Sequence, residues 1–249
     1  MSEYRDSSGH RFTDYPRPSV AVDTAILTVH EGNLCVAVIE KGDLSRRLPG
    51  RFLREGETLA DAVRRSLRQK LGIKGLLPRQ LHVFDAPRRD SRGWVISVAY
   101  IAAVSDDRLN GVTLLPPDEA TGLAFDHDEM VRLAVHEIRT AYAEHPDPWD
   151  LLDSFTLREL RELHASIDPD TPLRDSFRRL MEPQLVDTGE LSSGSVGKPS
   201  RIFTKPTLEE RQLREESSQL TLDRARRVSR SRRALSSRES SPDSSYSSE

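Results

Sequence analysis

A chain of 249 residues has room for one mid-sized domain and a smaller one, each able to bury its own core. Its formal net charge of -3 excludes a uniformly basic nucleic-acid coat, although a compact DNA-reading face can still sit on an acidic protein. The single cysteine, Cys35, excludes a disulfide framework and a cysteine-ligated zinc site, and no apolar run is long enough to span a bilayer.

The first 17 residues are polar, lack the apolar core of a signal peptide, and are expected to be flexible in a soluble, cytoplasmic protein. Residues 18–40 hold two β-branched apolar runs joined by Glu31, Gly32 and Asn33, which predicts a strand hairpin. In 58–71 Leu59, Val63, Leu67 and Leu71 recur every four residues, Thr58 and Asp61 have capping-box spacing, and Gly72 supplies a stop. A strand is predicted over 94–101 after the charged turn 87–93. A helix follows over 128–144, with Met130, Leu133, Ala134, Ile138 and Ala141 on one side.

The run from His145 to Pro148 breaks this pattern and marks a domain boundary. Beyond it, Thr156 and Glu159 cap a helix that turns Leu157, Leu160 and Leu163 inward. A second helix is predicted from Pro172 with Leu173, Phe177 and Leu180 as its buried stripe, then two strands over 185–188 and 200–204 around a Gly/Ser-rich tip. From about 207 the chain is charged and then serine-rich, too polar to bury a core, and is expected to be disordered.

The segment LPGRFLREGETL at 48–59, continued by RSLRQKLGI at 65–73, strongly resembles the loop-helix-loop of the Nudix family. In that family the helix presents glutamates at i, i+3 and i+4, which share a face and hold magnesium for attack of water on a diphosphate. Those positions here are Ser66, Gln69 and Lys70. A hydroxyl, an amide and a cation do not gather a hard divalent ion, so no metal, no cofactor and no catalytic residue are expected. Glu57 and Arg65 remain as structural pieces, and Arg51 replaces the second of the family's paired glycines. The alternative within the resemblance is a hydrolase of ADP-ribose or another nucleoside diphosphate derivative.

Residues 87–100 and 123–128 look like the ADP-ribose-associated Nudix branch and its regulatory relatives, the NrtR-type repressors of NAD metabolism. The resemblance implies a nucleotide effector, whose pocket needs cations for phosphates, an aromatic slot for the base and polar groups for ribose. Arg51, Arg89 and Arg92 suit the first need. Asp90 and Asp126 suit ribose hydroxyls or the orientation of arginines, and Phe84, Phe125 and Tyr100 are candidates for the slot. His127, beside a helix start, reads as a cap or packing residue.

Residues 151–205 resemble the C-terminal winged helix of the same regulators. Their slight acidic excess gives no basic-domain signal, so local clustering is the argument. Arg174, Ser176, Arg178 and Arg179 are placed to enter a major groove, with Thr156 at the preceding helix, while Lys198, Arg201 and Lys205 suit phosphate contacts. The expected fold class is α+β: a Nudix-like mixed-sheet α/β/α sandwich over 18–145, a winged helix-turn-helix over 150–206 and a tail over 207–249. The expected function is a ligand-responsive repressor, a homodimer on double-stranded operator DNA with no membrane partner. The helix over 128–144 is the candidate coupler between pocket and DNA.

Overall fold

The computed structural model describes residues 4–40, 42, 45–192, 199–207 and 210. Strands β1 (Ser19–His30) and β2 (Asn33–Glu40) pair antiparallel, His30 facing Asn33. The two-residue turn between them has Glu31 and Gly32 at φ 49 and 77, both left-handed, as a hairpin matching strand twist requires. Then come β3 (Arg46–Arg47), β4 (Gly50–Phe52), α1 (Leu59–Leu71), β5 (Arg79–Phe84), β6 (Val95–Ala103), β7 (Thr113–Leu115), α2 (His127–Glu144), α3 (Leu157–Ile167), α4 (Arg174–Met181), β8 (Val186–Leu191) and β9 (Arg201–Thr204).

One seven-stranded mixed sheet runs in the order β3-β2-β1-β6-β5, with β4 added to β1 and β7 to β2. β1 and β6 are parallel at its centre. The strand β1 is buried continuously from Ala21 to Thr28 because both faces are covered. On one face Val22 and Ile26 pack with Ala62, Val63 and Leu67 of α1. On the other Ala25 and Leu27 pack with Met130, Ala134, Ile138 and Tyr142 of α2. The α1 caps are those the spacing predicts: Thr58 Oγ1 accepts from the Asp61 amide and Asp61 accepts from the Thr58 amide. Gly72 ends the helix at φ 70 with its N–H donating to the Leu67 carbonyl.

Past residue 150, α3 and α4 are followed by the β8–β9 hairpin, and Phe155 bridges to Phe203 as a short third strand. Their core is Phe155, Leu160, Phe177, Met181, Leu185 and Phe203. Here the expected stripe of α4 is corrected. Leu173 precedes the helix with extended backbone and is 79% exposed, and Leu180 is 47% exposed, about 100° round the helix from the buried Met181. Phe177 and Met181, four apart, carry the burial.

These helices are not set apart from the sheet. Ile167 at the end of α3 is buried in the same cluster as Met130 and Ile138 of α2, and Arg139 Nε donates to its carbonyl at 3.0 Å. The rings of Tyr142, His164 and Phe177 stand edge to face in series, each 4.9 Å from the next, linking α2, α3 and α4. Tyr142 donates to Asp147 Oδ1 at 2.7 Å, and Asp147 also accepts from the Leu151 and Leu152 amides. The described residues up to Thr204 form one compact unit.

Within the N-terminal stretch expected to be flexible, Asp6 accepts from the Ser8 and His10 amides and from Tyr15, and Tyr4 stacks on Phe12 at 4.9 Å. Among the described residues no helix is long and apolar enough to cross a membrane. Lys198 and nearly all of the tail expected to be disordered lie outside the described residues.

Candidate functional site: a cationic cleft and an exposed helix

A cleft of about 390 Å³ opens where β4, the turn after β5 and the start of α2 meet. Its wall carries Asp23 of the central strand, a carboxylate that interrupts an otherwise apolar run. Asp23 Oδ2 accepts from Ser97 Oγ at 2.6 Å, and His127 Nε2 stands 3.5 Å from Oδ1. The Leu48 amide donates to His127 Nδ1 at 3.0 Å, so the ring proton belongs on Nε2, facing the acid. Burial works to raise the Asp23 pKa, but the His127 contact, the Ser97 hydrogen bond and Arg89 outweigh it and hold it below the ordinary value. Gly50 makes this approach possible: a Cβ there would stand 1.7 Å from Asp23 Oδ1.

Around the acid stand Arg47, Arg51, Arg54, Arg65, Lys70, Arg89 and Arg92, against one further lining carboxylate, Asp90. Arg89, its side chain 3% exposed, grips Asp126 in a bidentate pair. Arg92 pairs with the buried Asp90 at 2.9 and 2.7 Å, and this bond above all pulls the Asp90 pKa to about 2. The same guanidinium lies 4.8 Å from the ring centre of Phe125 and 5.7 Å from that of Phe52. Phe125 sits at φ 62, a conformation uncommon for a bulky side chain. Arg65 is tied to Glu57 at 2.6 and 2.7 Å and to the Phe52 carbonyl at 2.9 Å. Arg51 does not occupy a special turn: it lies in β4 opposite Val22, without positive φ.

Of the three positions at which the family places its glutamates, Ser66 is fully buried with no hydrogen-bond partner for Oγ, and Gln69 is exposed. Lys70 lines the cleft. That donor set does not fit a magnesium ion. Among the described residues no group of three His, Cys, Asp or Glu side chains is placed to hold a metal. The arrangement can hold an anion between fixed cations and offer two half-exposed aromatic faces to a flat group.

On the C-terminal side, α4 buries Phe177 and Met181 and turns Arg174, Ser176, Arg178 and Arg179 outward. Arg174 makes no hydrogen bond or ion pair with the described residues. Arg178 Nε donates to Glu182 Oε2 at 2.6 Å. Arg201 of β9 also reaches Glu182, and pairs with Asp187 at 3.0 Å. Arg179 folds back on the Asp175 carbonyl at 3.3 Å. Thr156 is buried and caps α3, accepting from the Glu159 amide, so its hydroxyl is already engaged. Lys205 follows β9 in the chain.

No family model matches the chain. It is 27% identical over 222 residues to the ADPR responsive transcriptional repressor NtrR of Acinetobacter baylyi, spanning 81% of this chain and 88% of that relative. It is 30% identical over 137 residues to the ADP-ribose pyrophosphatase of Methanocaldococcus jannaschii, 51% of this chain and 78% of that enzyme. Among solved structures, Shewanella oneidensis NrtR complexed with a 27mer DNA matches with a TM-score of 0.65 at 27% identity, over 75% of this chain and 93% of that one. The chain belongs to the Nudix family, and over most of its length it is similar to the NrtR-type regulators. A MutT/nudix family protein from Enterococcus faecalis, 24% identical with a TM-score of 0.60, shares the fold over 77% of this chain and 88% of its own.

The residues expected to hold the effector are largely brought together. Arg51, Arg89, Asp90, Arg92 and Phe125 line the cleft, and Asp126 stands behind it as the partner of Arg89. Phe84 is not among the cleft walls; it packs on the α2-side core and lies edge-on to His82. Tyr100 belongs to the α1-side core. Sequence reasoning missed Asp23, Phe52 and Arg54, and His127 proves to be a cleft wall rather than only a cap. A lone acid inside a β-branched central strand was the available signal for Asp23.

Proposed function

We propose that the chain is an ADP-ribose-responsive transcriptional repressor, in which the cleft senses ADP-ribose or a closely related nucleotide without hydrolysing it and residues 150–206 hold operator DNA as a winged helix. The observation that carries this reading is a cleft lined by seven cations, of which Arg65, Arg89 and Arg92 are fixed by carboxylates, beside a Nudix helix with Ser66, Gln69 and Lys70 in place of glutamates. The likeness to NrtR in complex with DNA, which extends through the C-terminal helices, supports the DNA half.

In this reading the diphosphate lies against Arg51 and Arg92, the flat base against Phe125, and ribose hydroxyls reach Asp90 or Asp23. Arg174, Ser176, Arg178 and Arg179 enter the major groove, while Arg201, Lys205 and Lys198 hold phosphates. A homodimer places two such helices on one palindromic operator, which multiplies affinity through linkage. The helix α2 begins at the cleft with His127 and ends at the ring series reaching α4, which suits it to couple the two. Such a regulator works in the cytoplasm, on operator DNA.

The test is an electrophoretic shift on the chain's own upstream region with and without ADP-ribose, alongside an assay of AMP release in magnesium. Saturating ADP-ribose is expected to raise the operator dissociation constant about 5- to 150-fold, and operator DNA to weaken ADP-ribose equally. Arg92→Ala is expected to abolish the response with ligand-free DNA affinity intact. Steady AMP release, or equal operator affinity in both states, would overturn the reading.

A further inference from the structure

The diphosphate seat of a Nudix enzyme is completed by a divalent ion, and the residues that would hold it are absent here. What stands there instead is informative. Three of the seven cations of the cleft are already neutralised locally: Arg65 by Glu57, Arg89 by Asp126 and Arg92 by Asp90. Lys70 and Arg51 differ. Neither makes an ion pair or hydrogen bond with a described side chain, and Arg51 Nε is buried without a partner.

Lys70 is the one member of the three substituted positions that lines the cleft, one helical turn beyond the buried Ser66. Its ammonium is half-buried. Burial first, and then the nearby Arg51 and Arg47, push its pKa below the ordinary lysine value, with Asp23 acting the other way. Two like charges side by side in a half-buried cleft, with Asp23 as the nearby acid, are an unfavourable arrangement that a further bound anion relieves.

We propose that Lys70 and Arg51 take the place of the family's metal ion, so that the cleft receives a diphosphate diester free of metal and turns away nucleotides that arrive chelated to magnesium. The inference rests on the reading of the cleft as a nucleotide sensor. Its chemical consequence is selectivity. A diester such as ADP-ribose carries one negative charge per phosphate and binds magnesium weakly. A terminal phosphate, as in ADP, carries more charge and binds the ion strongly. A magnesium ion brought in on ADP would meet Lys70 where the family presents a carboxylate, with Arg51 lining the same cleft. The seat therefore separates a scarce diester from the abundant chelated nucleotides of a cell by charge, without a contact to the second ribose.

The experiment is calorimetry on the full chain with ADP-ribose and with ADP, each in EDTA and in excess magnesium, with Lys70→Gln, Lys70→Arg and Lys70→Glu beside wild type. Thermal melts of each variant establish that it is folded. Wild type is expected to bind ADP-ribose equally in both buffers and to bind ADP more weakly in magnesium. Lys70→Gln is expected to lose roughly 10- to 100-fold for ADP-ribose, the worth of one charge-assisted contact, and Lys70→Arg to retain most of the affinity. Lys70→Glu is expected to bind poorly in EDTA and to recover partly when magnesium is added. ADP-ribose binding by wild type that requires magnesium, or a Lys70→Gln affinity within twofold of wild type, overturns this inference and leaves the sensor reading standing. Failure of wild type to bind either nucleotide in either buffer overturns both.

Discussion

Gly50→Ala is a small perturbation with a large expected effect. The added methyl would stand 1.7 Å from Asp23 Oδ1, 2.8 Å from its Cγ and 2.8 Å from the Val22 carbonyl oxygen, all below the closest approach that Cβ atoms make. The Val22 oxygen cannot yield, because β1 is paired to β4 on one side and to β6 on the other. The Asp23 carboxylate must therefore swing away. That breaks its 2.6 Å bond from Ser97, a fully buried hydroxyl, and withdraws it from His127. Orphaning a buried polar group costs about 1–3 kcal/mol, and overpacking a tight site about 1–3 kcal/mol more. The sum, about 2–6 kcal/mol, is a large part of the 5–15 kcal/mol typical of a domain. Urea denaturation of wild type, Gly50→Ala, Asp23→Ala and the double variant measures it. In the Asp23→Ala background the worst contact is gone, so Gly50→Ala should cost at least about 1 kcal/mol less there. A single variant within about 0.5 kcal/mol of wild type, or strict additivity of the two, would refute the close approach as the reason for glycine.

Glu182 holds both Arg178 and Arg201, so Glu182→Gln is expected to strengthen binding to operator and scrambled duplex alike and to steepen the salt dependence by roughly one unit per arginine released, read by fluorescence anisotropy; weaker binding would count against the DNA-facing assignment. Asp90 is held by Arg92 at about 2 against an ordinary 3.8, so its contribution to stability is complete above 3.8 and is lost as pH falls through about 2. The stability gap between wild type and Asp90→Asn should stay constant from pH 7 to about 4 and close below that, by denaturation at each pH. Burial keeps His164 neutral, pushing it below 6.5 against the opposing pull of the Pro146 carbonyl and Asp147, so stability is full above 6.5 and declines as the unfolded chain takes up a proton below it. His164→Gln should flatten that decline in melts at pH 7.5 and 5.5.

The elements legible in the sequence are those whose signal is local. The helix α1 announces itself by apolar residues four apart between a capping box and a glycine, and the β1–β2 turn by Glu31 and Gly32. The edge strand β5 and the short β7 escaped because what makes them strands is pairing with β6 and β2, far away in sequence. Phe84 was misplaced for a related reason. A register shift between Gln80 and His82 interrupts the alternation of β5, so the side to which later residues turn is not readable from spacing. Leu173 fits a leucine stripe only if the helix begins at Pro172; it begins at Arg174, and the buried side is centred between Phe177 and Met181, which leaves Leu180 at its edge. At the cleft, the arginines and aspartates of the turn were visible as types. Which acid orients which arginine was not, since Arg89 finds its partner at Asp126, 37 residues on.

Ile167 carries a consequence for how the chain comes apart. A side chain from α3 that completes the core under α2 makes the C-terminal helices part of the same cooperative body as the sheet. Such a body has no low-energy state in which α3 and α4 are released while the sandwich stays shut, because release would uncover the apolar surface around Met130 and Ile138. Amides of α3 should thus exchange with solvent at rates set by opening of the whole, and a ligand bound in the cleft should slow them as much as it slows those of β1.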